Sequence, residues 1–268
     1  MDGLRKIGIT GAGGFIGKEF SKYLYKKGYD LILFSYEEII KDESIRYIKK
    51  DLRECTVKDF RGIDVLFHFA GTSFNKDALT INAELTNITL KKAIEANIKK
   101  FFLASSYAVY GNRNIPAKNN SDLNPSDEYS LSKIFSEYFF KKELINKKID
   151  GAIIRFCSIY GRDGRGLINI LKEKIKNNEE VILDGYFGRQ YLYVEDLCII
   201  LEDILKQNKQ EFVYNVEGER KNTRELYNML LRNNFKVTFH NKIKDSYLCS
   251  GIQINTNMNV EEFLFKDI

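Results

Sequence analysis

The sequence predicts an α/β fold: a doubly wound parallel sheet with a small α/β lobe towards the C-terminus. Three observations carry this. Apolar runs alternate with amphipathic segments from residue 7 to residue 160. Those runs are continuous rather than alternating, as strands covered on both faces require. The glycine-rich segment TGAGGFIG (10–17) joins the first apolar run to the first amphipathic one.

Residues 7–9 read as the first strand and 15–24 as the first helix. Strands follow at 31–34, 45–48 and 65–69, a helix at 78–96, a strand at 101–104, a helix at 130–145 and a strand at 151–156. The stretch between 104 and 130 holds both prolines, Pro116 and Pro125. It is far longer than the ~2–6 residues usual for such connections, and at a strand's carboxyl end it reads as an active-site loop. Beyond it, helices are expected at 167–175, 195–205 and 223–231, the last capped by Thr223. Short strands are expected at 181–183, 191–194, 212–216 and 237–239. Residues 1–160, with about 189–216 returning to them, form the dinucleotide-binding unit in this reading. The smaller substrate lobe comprises 161–188 and 217–268.

Composition narrows the class. At 268 residues and 44% hydrophobic content the chain can bury a real core. No run approaches the ~18 apolar residues of a membrane span, and MDGLRKIG lacks a signal peptide's apolar core. Cys55, Cys157, Cys198 and Cys249 form no C-x-x-C pair, and His68 and His240 are the only histidines. A metal site is therefore not expected, and a reduced, cytoplasmic enzyme is. The formal charge of +5 is spread over dispersed lysine pairs such as Lys26-Lys27. Without a basic cluster interleaved with aromatics, neither nucleic acid nor membrane is an expected partner. A mild positive field suits an anionic substrate.

The glycine segment carries the cofactor reading. Gly11 permits the tight turn out of the strand, Gly14 lets a pyrophosphate approach the backbone, and Gly17 lets the helix pack on the strand. The helix that starts at Phe15 and Ile16 offers free N–H groups to the phosphates. The chemistry reading rests on Ser106, Tyr129 and Lys133. Tyr129 and Lys133 are four residues apart at the start of one helix, so they share a face. A phenol of pKa ~10 is a poor acid–base at neutral pH. The lysine one turn on, with a positive nicotinamide ring, is expected to lower that pKa. Ser106 would bond the substrate oxygen, Tyr129 move the proton, and Lys133 hold the nicotinamide ribose.

These motifs in this order resemble the extended short-chain dehydrogenase/reductases, the NAD-dependent epimerase/dehydratase family acting on nucleotide sugars. The resemblance spans nearly the whole chain: TGAGGFIG, Asp51-Leu52-Arg53, HFAG (68–71), Asn82, SSYAVYG (105–111), YSLSK (129–133), RFCSIYG (155–161) and RQYLYVED (189–196). It implies a Rossmann fold, NAD or NADP as cofactor, a nucleotide-sugar substrate and a homodimer. It further implies that Asp51 binds the adenine with Leu52 packed against it. Ala70 and Gly71 line the dinucleotide groove, Asn82 supports the proton relay, and Ser158 and Arg189 meet the substrate, Arg189 at its diphosphate. Second apolar faces are expected at Leu85, Ile88 and Leu90 on one long helix and at Phe135, Tyr138 and Phe139 on the other, where two copies would meet.

Departures from the family pattern bear on the reaction. Ser35 stands where an acidic residue usually grips the adenosine ribose, which permits NADP, while Glu37 and Glu38 keep the preference open. Dehydratases of this family carry an Asp-Glu pair after the catalytic hydroxyl; here Tyr107 and Ala108 occupy those places, which disfavours elimination of water. What remains is redox at a sugar carbon, either 4-epimerisation or reduction of a 4-keto sugar. A dinucleotide-binding redox sensor without turnover is the alternative.

Overall fold

Successive residues of the central strands point to opposite faces, and both faces are apolar. Leu31 and Leu33 lie with Ile7, Ile9, Phe67 and Phe102 on one side, and Ile32 and Phe34 with Leu66, Phe101 and Ile153 on the other. Each such side chain contributes about 1.5–3 kcal/mol by leaving water. The arrangement comes from a computed structural model that describes residues 6–73, 77–113, 115–146, 148–207, 211–246, 251–252 and 256–266. Cys249 lies outside them.

The strands are β1 (Lys6–Thr10), β2 (Asp30–Phe34), β3 (Arg46–Ile48), β4 (Val65–His68), β5 (Lys100–Ser106), β6 (Asp150–Phe156), β7 (Ser158–Tyr160), β8 (Val181–Tyr193), β9 (Val213–Val216), β10 (Glu219–Asn222) and β11 (Val237–Ser246). The helices are α1 (Phe15–Lys26), α2 (Val57–Phe60), α3 (Ala78–Glu95), α4 (Glu128–Ile145), α5 (Leu167–Lys176), α6 (Val194–Lys206), α7 (Thr223–Arg232) and α8 (Val260–Phe265). Seven parallel strands order as β3-β2-β1-β4-β5-β6-β9. The chain reverses direction across the sheet between β1 and β4, and there the strand ends open a crevice for a ligand. α1 and α6 cover one face, α3 and α4 the other.

A second sheet, β10-β8-β11 with β7 on β8, packs with α5, α7 and α8 around Tyr160, Leu171, Leu183, Leu226 and Phe263. Of residues 189–216, α6 and β9 lie on the large sheet, whereas Arg189 to Tyr193 belong to the small one.

Four differences from the sequence expectations have physical causes. The strands expected at 181–183 and 191–194 are one strand, β8, because β11, β10 and β7 supply it with partners along its length. Thr223 is not the cap of α7. Asn222 is, its side chain accepting from Glu225 N–H while Glu225 reaches back to the Asn222 N–H. Leu90 does not belong to a second apolar face; it is 1% exposed in the core. Leu85 and Phe139 pack partly on that same core, while Phe135 and Tyr138 are exposed. Among the described residues, no helix is long and apolar enough to cross a membrane.

Candidate active site

Most of the expected residues lie at the carboxyl ends of the large sheet's strands, Asp51 and Leu52 after β3, while Ser158 and Arg189 lie on β7 and β8 of the small sheet. Gly11 adopts φ +67°, and a Cβ there would lie 2.6 Å from the Ala70 nitrogen. A Cβ on Gly17 would meet the Gly11 carbonyl at 2.2 Å. Only glycine allows β1, the loop and α1 to close so tightly. Gly14 is the N-cap of α1, no side chain caps that end, and the first turn holds no acid. These free N–H groups and the exposed backbone at Gly13 and Gly14 fit a pyrophosphate. Phe15 and Ile16, both half-buried, begin the helix, Ile16 packing onto the core.

Further along the groove, Gly71 (φ +155°) leaves room for two neighbours: a Cβ there would lie 2.6 Å from Asn82 Oδ1 and 3.8 Å from Lys133 Nζ. The Asn82 amide accepts from Thr72 N–H (2.8 Å) and donates to Thr72 C=O and to Ser132 Oγ (both 2.9 Å). It thus pins the segment after β4 to α4. Lys133 Nζ donates to the Ala104 carbonyl at 3.1 Å and lies 5.8 Å from the centre of the Tyr129 ring. Burial pushes its ammonium down to about 8 against the upward pull of Glu137.

Ser106, at the end of β5, lies beside Tyr129, and its side chain lowers that phenol. The Ser106 Oγ also accepts from Ala108 N–H at 3.1 Å, which starts the 3-10 turn Tyr107–Tyr110. In the chain by itself the Tyr129 phenol stands above its ordinary value. Burial raises it, the Ser106 side chain lowers it, and the charge of Asp127 raises it again.

The neighbouring Ser105 does other work. It lies on the face of Phe101 and Leu103 and donates to Glu137 Oε1 at 2.6 Å. Arg155, its register partner on β6, grips Glu137 through Nε (2.8 Å) and a terminal nitrogen (2.6 Å). Arg155 continues to Tyr110 Oη (2.6 Å) and the Asn119 carbonyl (3.2 Å), anchoring the loop between β5 and α4. A second chain runs Thr10–His68–Thr86–Ser136, with contacts of 2.8, 3.3 and 3.1 Å, tying β1 beneath the glycine loop to α4. Neither network is visible from spacing alone, because each joins single polar residues on four separate elements.

At the β2 end, Ser35 is 8% exposed, and its hydroxyl donates to the Glu37 carbonyl (2.9 Å) and accepts from Glu37 N–H (3.1 Å). Asp51 accepts from Arg53, Leu52 is buried beneath, and Glu38 pairs with Lys49 at 2.6 Å. At the β5–β6 end, the Tyr107 and Ser158 hydroxyls meet at 3.0 Å. The charge of Arg189 reaches the phenols of both Tyr107 and Tyr191, so Ser106, Tyr107, Ser158 and Arg189 form one polar neighbourhood. An open depression of about 610 Å³ at the amino ends of β5 and β6, lined by Asn97, Lys99, Asp150 and Phe212, holds none of these residues.

The chain resembles curated proteins along most of its length. It is 27% identical over 248 residues to a putative UDP-glucose 4-epimerase of Methanocaldococcus jannaschii, covering 83% of this chain and 80% of that one. It is 28% identical over 244 residues to a dTDP-4-dehydro-6-deoxyglucose reductase of Escherichia coli, covering 78% and 75%. The fold matches the solved UDP-glucuronic acid 4-epimerase of Bacillus cereus, in complex with UDP-glucuronic acid and NAD, with a TM-score of 0.85 at 21% identity, over 97% of this chain and 96% of that one. Residues 7–217 match the NAD dependent epimerase/dehydratase family, and the chain belongs to it.

Proposed function

We propose that the protein carries out NAD-dependent redox at a sugar carbon of a nucleotide-activated hexose. The observation that carries this is Lys133 held between the Tyr129 ring and the Ala104 carbonyl, two residues before Ser106, with Gly71 beside it. Gly11, Gly14 and Gly17 with the α1 N-terminus would hold the pyrophosphate, Ala70 and Gly71 the wall, and Lys133 the ribose. NAD, when bound, supplies the hydride acceptor. The protein's own part is proton handling. Ser106 orients the substrate hydroxyl, and Tyr129, protonated in the resting state, exchanges the proton at that oxygen once a positive ring offsets its burial.

Of the two reactions, 4-epimerisation is favoured over reduction of a 4-keto sugar. A reductase exchanging NADPH would need a partner for the 2′-phosphate at the β2 end, and the Ser35 hydroxyl there is engaged with Glu37. Tyr107 and Ala108 supply no acid for elimination, which disfavours a dehydratase. Residues 1–160 with about 189–216 would bind the cofactor, and 161–188 with 217–268 the sugar, whose diphosphate meets Arg189 and whose ring meets Ser158. Exposed Phe135 and Tyr138 on α4 suit a homodimer contact. The test incubates the protein with NAD and UDP-glucose, UDP-galactose or UDP-glucuronic acid and reads the products by NMR. Appearance of the C4 epimer supports the proposal; NAD binding with unchanged sugars supports a regulator instead.

A further inference from the structure

We propose that the exposed ring of Tyr36 is the platform on which the adenine of the bound dinucleotide stacks. The inference rests on the NAD reading above and adds a residue to it. The uncapped N-terminus of α1 fixes the place of the pyrophosphate, and Ser106, Tyr129 and Lys133 fix the reactive end at the β5 side. An extended dinucleotide must then lay its adenosine half the other way, over the carboxyl ends of β2 and β3.

The groups there are few and mostly engaged. Ser35 is closed on Glu37, and a Cβ on Gly13 would lie 2.9 Å from its Oγ, so Ser35 abuts the phosphate loop. Asp51 holds Arg53, and Leu52 is 7% exposed. Tyr36 is different: 66% of it is exposed, although it follows directly on that buried serine. Ser35 N–H donates to the Ile48 carbonyl at 3.2 Å, which sets the segment carrying Tyr36 beside the end of β3. Tyr36 therefore stands at the β2 end, next to the residue that abuts the phosphate loop and beside the end of β3. An aromatic face there suits a purine base.

The probes are NADH, followed by its own fluorescence, and 1,N6-etheno-ADP, whose emission falls when its base stacks. Tyr36→Ala should weaken both by a common factor of about fivefold or more, since base–aromatic stacking is lost in each. It should also abolish the emission change of etheno-ADP. Tyr36→Phe keeps the ring and should stay within about twofold of wild type. Because the side chain faces solvent, both variants should fold as wild type does. Unchanged affinities in Tyr36→Ala overturn the proposal, as does an equal loss in Tyr36→Phe, which would assign the effect to the hydroxyl. A wild type that binds neither probe removes the cofactor reading itself, an outcome distinct from loss of the Tyr36 assignment.

Discussion

Glu137 and Arg155 meet as a two-pronged ion pair inside the protein, at 2.6 and 2.8 Å, with side chains 1% and 2% exposed. Burial alone would raise the Glu137 carboxyl, yet the Arg155 bonds and charge, with Ser105 and Lys141, hold it below its ordinary value. Removing one partner strands the other. Glu137→Leu or Arg155→Met should each cost about 3–5 kcal/mol in urea unfolding, and the double variant should recover much of that loss. A double variant as unstable as the sum of the singles would show that the pair's worth lies in its outer bonds to Tyr110 and Asn119.

Two glycines separate backbone strain from close approach. Gly28 has φ +80° with open space around it, so Gly28→Ala should cost about 1–2 kcal/mol and leave NADH affinity intact. Gly17→Ala puts a methyl 2.2 Å from the Gly11 carbonyl, a backbone atom that cannot yield without moving the loop. It should lose NADH binding as well as stability. Fluorescence titration of both variants decides; equal affinities would mean that the loop tolerates α1 being pushed away.

His68 ties the fold to acid. It is 1% exposed between Thr10 and Thr86, and burial, with the Lys133 charge, pushes its imidazole down to about 3 from 6.5. The folded state therefore binds fewer protons than the unfolded one between those values. Its contribution is complete above pH 6.5 and is lost as pH falls towards 3, at up to about 1.4 kcal/mol per pH unit. His68→Asn should flatten the pH dependence of urea unfolding in that window. A slope identical to wild type would place the acid sensitivity elsewhere.

Continuous apolar runs made the large sheet readable, because a parallel strand buried on both faces leaves no other composition open to it. The glycine loop and the Tyr129–Lys133 pair were readable for the same reason: local spacing fixes them. β10, with its polar sequence Glu-Arg-Lys-Asn, could not be read, since only pairing with β8 makes it a strand. The Glu137–Arg155 pair was hidden because partners on α4 and β6 meet only in three dimensions. The burial that raises the Tyr129 phenol was also hidden. Charge spacing is visible in sequence, whereas the extent of burial that overrides it is not.

Cofactor choice follows from the carboxylates around Ser35. A 2′-phosphate at the β2 end would face Glu37, Glu38 and Asp51, while Lys49 is paired with Glu38 and Arg53 with Asp51 and Glu84. NADH should bind more tightly than NADPH by at least about tenfold, as like charges brought together require. Ser35→Ala should leave that ratio unchanged, because the hydroxyl is already engaged with Glu37. Loss of NADPH affinity alone in this variant would restore Ser35 as a phosphate ligand.

Tyr129→Phe tests the central claim most directly, because it removes one hydroxyl and leaves the groove intact. NADH affinity, by fluorescence titration, and epimerisation of UDP-sugars, by NMR, should be measured on wild type and variant side by side. The expected result is NADH binding within about twofold of wild type and turnover lower by at least ~10²-fold, the usual contribution of a positioned acid–base group. Turnover in Tyr129→Phe equal to that of wild type would contradict the account.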